Sequence, residues 1–262
     1  MIRVLGLAVA ALLLATVPSV VAQDSMVGVD LNSPKMTMAE MSRDDVAALV
    51  AKGAPVNLAG KRLSGLDLSG LDLTGANFRG AYLNKTSFSN CKLDKAILDQ
   101  AWGLSASFEG ASLRGASLVA SQMRGANFKG ADLSGARITA DLTNSNFAAA
   151  RFNGADLSAD MKNQSMGLMR AVLRSARLEG ADFSDANLSR TMLEFAVMKD
   201  ANLSGANLFG AELGGANLTG ARLAGADFDQ ADVTSAILQK LKDLDQARNF
   251  DKVRNLKRAF RD

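Results

Sequence analysis

Apolar residues return every five positions from about Leu58 to Leu238, and few backbone folds accept that interval. The stretch from Met166 to Leu238 reads in units centred on Leu168, Leu173, Leu178, Phe183 and onward, and all fifteen centres are Leu, Phe, Met or Val. Ala stands two residues before the centre in thirteen of the fifteen, with Met166 and Thr191 the exceptions. Asn or Asp often precedes the centre (Asp182, Asn187, Asn202, Asn207), and Gly often closes the unit (Gly205, Gly210, Gly215, Gly220). A helix repeats at 3.6 residues and a strand at 2.0, so neither explains five. Frequent Gly and Asn/Asp also weaken helices and favour turns. A unit with two inward residues and a terminal turn forms instead one side of a square coil, and four sides make a coil of twenty residues. The centre fills the interior, the Ala before it points into the same narrow shaft, and Gly supplies a turn with positive φ. Stacked coils pair their backbones along the axis at about 4.8 Å per coil, so nearly nine coils between Leu63 and Leu238 predict a stack roughly 42 Å long.

Units such as Ala76-Asn77-Phe78-Arg79-Gly80, Ala131-Asp132-Leu133-Ser134-Gly135 and Ala206-Asn207-Leu208-Phe209-Gly210 resemble the pentapeptide-repeat family, and the resemblance covers residues 58–238. It implies an all-β solenoid, a right-handed quadrilateral β-helix of about nine coils, dimeric in many members.

Open coil ends need covering, because they present unpaired edges. Ser42-Arg43-Asp44-Asp45 reads as a capping box, followed by Val46, Leu49 and Val50 on one face and stopped by Gly53, which predicts an N-terminal helical cap over 42–57. After Leu238 the residues Leu241, Leu244, Ala247, Phe250, Val253, Leu256 and Phe260 recur mostly at threes. That drifts around a single helix, so the expected C-terminal cap, 239–262, is two short helices breaking near 248–250. Met1 to Ala22 has one basic residue, Arg3, an apolar run from Val4 to Ala15, and Val20-Val21-Ala22 before Gln23. This is the pattern of a secretory signal cleaved after Ala22, and it predicts a periplasmic or extracellular protein. Residues 23–41 carry no period and are expected to form a flexible leader.

Three faults interrupt the array. Gly103 occupies a centre; Ile138 to Leu142 is a four-residue step; and Leu157 to Leu168 is eleven residues. Counted by twenties, the faulty slots fall on one side of the square, the side that carries the only Tyr and the only Trp. Tyr82 and Trp102 each precede a centre and should point outward on adjacent coils. Gln122 and Asp141 continue that column, with Leu104 and Arg124 beside it. Paired outward aromatics near an Arg resemble the centre of a protein-binding patch. The alternative is repair, with Trp102 folding over the gap at Gly103. Val172 and Met192, with Phe195 and Val197 near the adjoining corner, make a second apolar patch, placed on another side by the same count. Arg137, Arg151, Arg174 and Arg177 lie near a shared edge but with Asp156 among them, as in a solvated charge ladder.

The chain has no His, which removes the commonest general base and metal ligand. Its one Cys, Cys91, takes the small inward position before Leu93, where a thiol is inert. The spacing Gly125 to Gly130 follows from the period, and no Lys-Ser/Thr comes after it, so it is no phosphate loop. No catalytic residue, cofactor or metal is expected. Without Arg3 the chain carries 29 basic and 27 acidic residues, a near-neutral balance that gives no argument for nucleic acid. Residues 240–262 hold eight basic and four acidic residues, so a basic amphipathic helix there could lie on an anionic membrane. The sequence therefore predicts a non-enzymatic envelope scaffold that binds a protein partner, itself unidentified, through one face. The alternative, a duplex-DNA mimic acting on a topoisomerase as some family members do, needs an acidic rod in the cytoplasm.

Overall fold

The computed structural model describes residues 28–53, 55–161 and 169–262. Two compact units divide the chain, Met1–Leu31 and Asn32–Asp262. In the first, the described residues 28–31 carry no helix or strand. The signal sequence 1–22, the start of the leader and most of the 160–167 stretch lie outside the described residues.

The second unit is a four-sided parallel β-solenoid. Single β-bridges link each side to the same side of the next coil. Side 1 runs Asn57, Asn77, Ile97, Ser117, Arg137, Asp156, Asn187, Asn207, Asp227, Arg248. Side 2 runs Arg62, Tyr82, Trp102, Gln122, Asp141, Val172, Met192, Glu212, Asp232, Arg254. Side 3 starts at Asp67 and ends at Phe260, and side 4 runs from Asp72 to Lys242. Nine complete coils result, followed by three sides of a tenth.

Each position of the unit has a physical reason. Centres and the preceding Ala residues are fully buried and form one continuous core. The residue closing the unit has positive φ whether or not it is Gly: Gly80 is at 63° and Lys85 at 58°. Asn or Asp before the centre accepts the amide proton of the residue after it, as Asp67 does from Ser69 at 2.9 Å and Asn207 from Phe209 at 3.0 Å. Such a bond gives the turn a local partner that Ala or Leu cannot. Four of the exceptions in the Ala slot share one device. Thr86, Cys91, Ser145 and Thr191 donate from their side chains to the carbonyls of Leu63, Leu68, Met123 and Leu157, centres of the preceding coil, at 2.8 to 3.1 Å. A small donor is tolerated there because a buried polar group is costly only when unpaired. Burial pushes the Cys91 thiol up to about 11.

The N-terminal end is closed by more than a helix. The second helix, α2 (Arg43–Val50), has the expected capping box between Ser42 and Asp45 and buries Val46 in the core. Arg43 donates to the carbonyls of Asp67 (2.6 Å) and Ser69 (2.8 Å), which the first coil would otherwise leave unpaired at its edge. Arg43→Ala is expected to cost about 1–2 kcal/mol, since charge-assisted bonds are lost but the side chain is partly exposed. Urea denaturation reads this directly, and a change below about 0.3 kcal/mol, within the surface-substitution range, would show that water replaces the guanidinium without loss. The leader is not wholly flexible: α1 (Pro34–Thr37) buries Met36, and Glu40 donates its amide to the Arg62 carbonyl at 2.9 Å. That bond puts Glu40 where a preceding coil would be, so the segment extends side 2 by one rung.

The C-terminal cap differs from the expected pair of helices. Lys242, Arg248, Arg254 and Phe260 bridge to sides 4, 1, 2 and 3 in turn, so the tail continues the solenoid with six residues per side. The repeat is visible as Lys242-Asp243-Leu244, Arg248-Asn249-Phe250 and Arg254-Asn255-Leu256. Asp243, Asn249 and Asn255 are left-handed (φ 57°, 55°, 62°), and each starts a single 3₁₀ turn. Left-handed residues every six positions break any helix. The extra residue per side turns Phe250 and Leu256 against the core, and Phe250 meets Phe228 edge-on at 5.3 Å. A basic amphipathic helix is therefore absent, and with it the basis for laying this segment on a membrane.

Candidate functional site

Two of the faults prove to share one edge, the corner between sides 1 and 2. There β1 (Ser117–Gln122) and β2 (Arg137–Asp141) run extended through the corner, paired in parallel, with the register slipping between Val119 and Gln122 because β2 is one residue short. In the next coil the same corner takes the long insertion. Asp141 pairs with Val172 and Asp156 with Asn187, 31 residues on in each case, and the Asp160 amide bonds to the Met169 carbonyl at 2.8 Å across the neck. The array thus passes from the centre Leu157 on side 1 to Leu173 on side 2, and Leu168 lies outside the described residues.

This corrects the position of the second patch. Val172 and Met192 are not on another side; they continue the column of Tyr82, Trp102, Gln122 and Asp141 on side 2. Counting by twenties failed because one coil holds eleven extra residues. Phe195 stands at the corner after side 2, and Val197 lies on side 3, bridged to Arg177 and Asn217.

The column is unequal along its length. At the N-terminal end Tyr82 lies beneath the chain's own leader, with the Lys35 ammonium 4.9 Å from its ring centre. Asn84, buried beside it, donates to the Met36 carbonyl (3.0 Å) and accepts from the Leu104 amide (2.9 Å), tying leader to solenoid. Trp102 and Leu104 are half-buried on the next coil. The gap at Gly103 is filled by the next coil: a Cβ there would collide with the Met123 sulfur, so the Met123 side chain takes the space. Arg124 and Asp141 pair at 2.6 Å. Further along, Arg170 reaches Glu212 at 2.8 Å, spanning the coil that carries Met192, and Met192 is buried. Arg174 binds Glu194 at 2.8 Å, which holds the guanidinium charged beyond its ordinary range. The four arginines expected on one edge are dispersed, Arg137 on side 1, Arg151 on side 4, Arg177 on side 3 and Arg174 after side 2, because the count by twenties misplaces every residue beyond the faults. Each still has an acidic neighbour, Arg137 with Asp156, Arg151 with Asp132 and Arg177 with Glu179.

Phe195 stands apart. Its side chain is among the most exposed large apolar groups of the described residues, at 68 %, and its φ is 61°. An aromatic residue in the left-handed region pays a steric cost that Gly avoids. Its ring lies over Gly215, where an added Cβ would approach ring carbons to 2.6 Å. Sequence reasoning found Phe195 by its apolar character but not by this strain, although its place in the slot where Gly205, Gly210, Gly215 and Gly220 stand is readable.

Sequence comparison with known families agrees with this architecture. The family described as pentapeptide repeats matches in eight copies over residues 62–100, 105–139, 168–205 and 201–239, more than half of the chain. Among solved structures, HetL, a pentapeptide repeat protein involved in heterocyst differentiation regulation in the cyanobacterium Nostoc, is 29% identical. That match covers 84% of this chain and 94% of HetL, with a TM-score of 0.47. Full-length QnrB1, a plasmid-mediated fluoroquinolone resistance protein, is 18% identical over 76% of this chain and 91% of its own, with a TM-score of 0.49. A pentapeptide repeat protein of the Arabidopsis thaliana thylakoid lumen is 27% identical over 58% of this chain and 68% of its own, at 0.17. No curated protein matches the sequence.

Proposed function

Since the chain belongs to the pentapeptide-repeat family, we propose that it is a non-enzymatic scaffold of the bacterial envelope that grips a protein partner through side 2 and the corner after it. The observation that carries this reading is Phe195, an exposed aromatic ring kept in a backbone slot that favours Gly. A position that lowers stability and packs little of its ring is best accounted for by a contact made outside the chain. Trp102 and Leu104, half-buried on the same face, extend the surface; Tyr82 contributes less, being covered by Lys35. Export rests on residues 1–22, and an intact mass beginning at Gln23 in a periplasmic or extracellular fraction is its test. A DNA mimic is disfavoured by charge: acidic residues alternate with bases along the coils, as in Asp72–Lys92 and Asp94–Arg114, so no continuous acidic track forms there.

Phe195→Gly is expected to raise stability by about 1 kcal/mol, because the left-handed conformation no longer carries a side-chain penalty. The same substitution should abolish capture of the partner from the native envelope by crosslinking. Trp102→Ala should weaken capture while lowering stability slightly. If Phe195→Gly captures the same partner as well as the wild type, the surface is wrong. A second copy of this chain as the occupant would appear in sedimentation as a dimer lost in the variant.

A further inference from the structure

Three arginines from different coils converge on a depression of about 320 Å³ near the corner of sides 1 and 2. Its walls include Arg170, Arg190, Phe209, Glu212, Gln230 and Arg254. We propose that this depression is a receptor for a single carboxylate on an aliphatic stem, as an acidic side chain of a bound peptide presents.

Each guanidinium is held in place, and together they are not neutralised. Arg170 is fixed by Glu212 at 2.8 Å, and Arg254 by its Nε bond to the Gln230 carbonyl at 2.9 Å, with Asp232 only at 3.9 Å. Arg190 has no acidic partner among the described residues; it lies over the Phe209 ring at 5.4 Å from the centroid. A guanidinium stacked on an aromatic face keeps its fork of donors free at the edge, the geometry that takes a carboxylate through two parallel bonds. Three positive groups facing Glu212 and Asp232 leave one net positive charge, which matches a monoanion. The same two carboxylates repel a dianion, so a phosphate monoester fits less well. The exposed parts of the Phe209 ring offer an apolar wall for the methylenes beside the charge.

The site is independent of the contact made by Phe195, which lies at the opposite corner of side 2, so either can fail alone. Arg190→Gln is a mild change, because Gln100 and Gln230 already occupy the same left-handed slot at φ 58°. The test follows the arginine Nε–H resonances of the full protein during titration with the N-acetyl α-amide of glutamate. The neutral glutamine analogue and inorganic phosphate serve as controls at matched ionic strength. The expected result is that the Arg190 and Arg254 signals move together and saturate with the glutamate compound alone. In Arg190→Gln the Arg254 shift should need at least about tenfold more ligand, as the loss of a charge-assisted bond implies, whereas Phe195→Gly should leave the titration unchanged. Equal shifts with the glutamine analogue, an unchanged curve in Arg190→Gln, or tighter binding of phosphate would each overturn the assignment.

Discussion

Replacing Phe128 with Ala is expected to destabilise the protein by about 4 kcal/mol, well within the range for a buried aromatic. Phe128 is the third ring in a stack on side 3, Phe88, Phe108, Phe128 and Phe147, with centroids 5.0, 4.7 and 4.6 Å apart and planes within 8° of parallel. Such rings gain both buried area and offset stacking. The cost should be high because the cavity cannot collapse. Its walls are backbone rungs whose separation is set by hydrogen bonds, Phe108 N–H to Asn127 C=O at 2.6 Å and Phe128 N–H to Asn146 C=O at 2.7 Å. Phe128→Leu should cost only about 1–1.5 kcal/mol, as Leu fills most other centres and leaves a smaller void. Chemical denaturation of both variants reads the difference. A loss under about 1 kcal/mol in Phe128→Ala would mean that the shaft closes on itself, against the order of magnitude seen in close-packed cores.

The period carried the fold because each of its positions answers one local demand: volume at the centre, smallness at the Ala slot, a side-chain acceptor before the centre and a left-handed residue at the corner. These demands depend on neighbours twenty residues away in the same arrangement, so one dimension of sequence is enough to read them. The period exposed the steps that changed it but could not report how the coils absorb them. The eleven extra residues between Leu157 and Leu173 shifted every later side assignment, and so Val172 and Met192 were separated from the column they belong to. Periodicity at threes after Leu238 was real but was the half-period of a six-residue side. Asp243, Asn249 and Asn255 give the discriminating signal, since three residues prone to the left-handed conformation at intervals of six suit corners and not helices. The docking of Met36 and Glu40 on side 2 was illegible, as its contacts, the Glu40 rung, the Asn84–Met36 bond and the buried Met36 side chain, follow no period. Likewise the Arg190–Phe209 stack arises from residues nineteen apart on neighbouring coils, a spacing that means nothing until the corner geometry is known.

The terminal coil supplies the second large effect. Serine at Leu241, Phe250 and Leu256 together should lower stability by about 3 kcal/mol, taking roughly 1 kcal/mol for each half-buried side chain withdrawn from the shaft end. A solenoid transmits such a loss only to its nearest neighbour. The amides of Leu223, Phe228 and Val233, which donate to the carbonyls of Lys242, Arg248 and Arg254 at 3.0, 3.0 and 3.2 Å, should therefore exchange with solvent much faster. The amide of Phe108, in the middle of the array, should keep its protection. Two short helices packed across the end would give a different result, because those three amides would then have no ladder partners and would exchange rapidly already in the wild type. Slow exchange in the wild type that collapses in the triple variant thus identifies the tail as a coil held down by its own apolar side chains. Slow exchange that survives the substitution would place that hold in the backbone rungs and the Asn249–Asp227 and Asn255–Asp232 bonds, at 2.9 and 3.1 Å, with the apolar groups secondary.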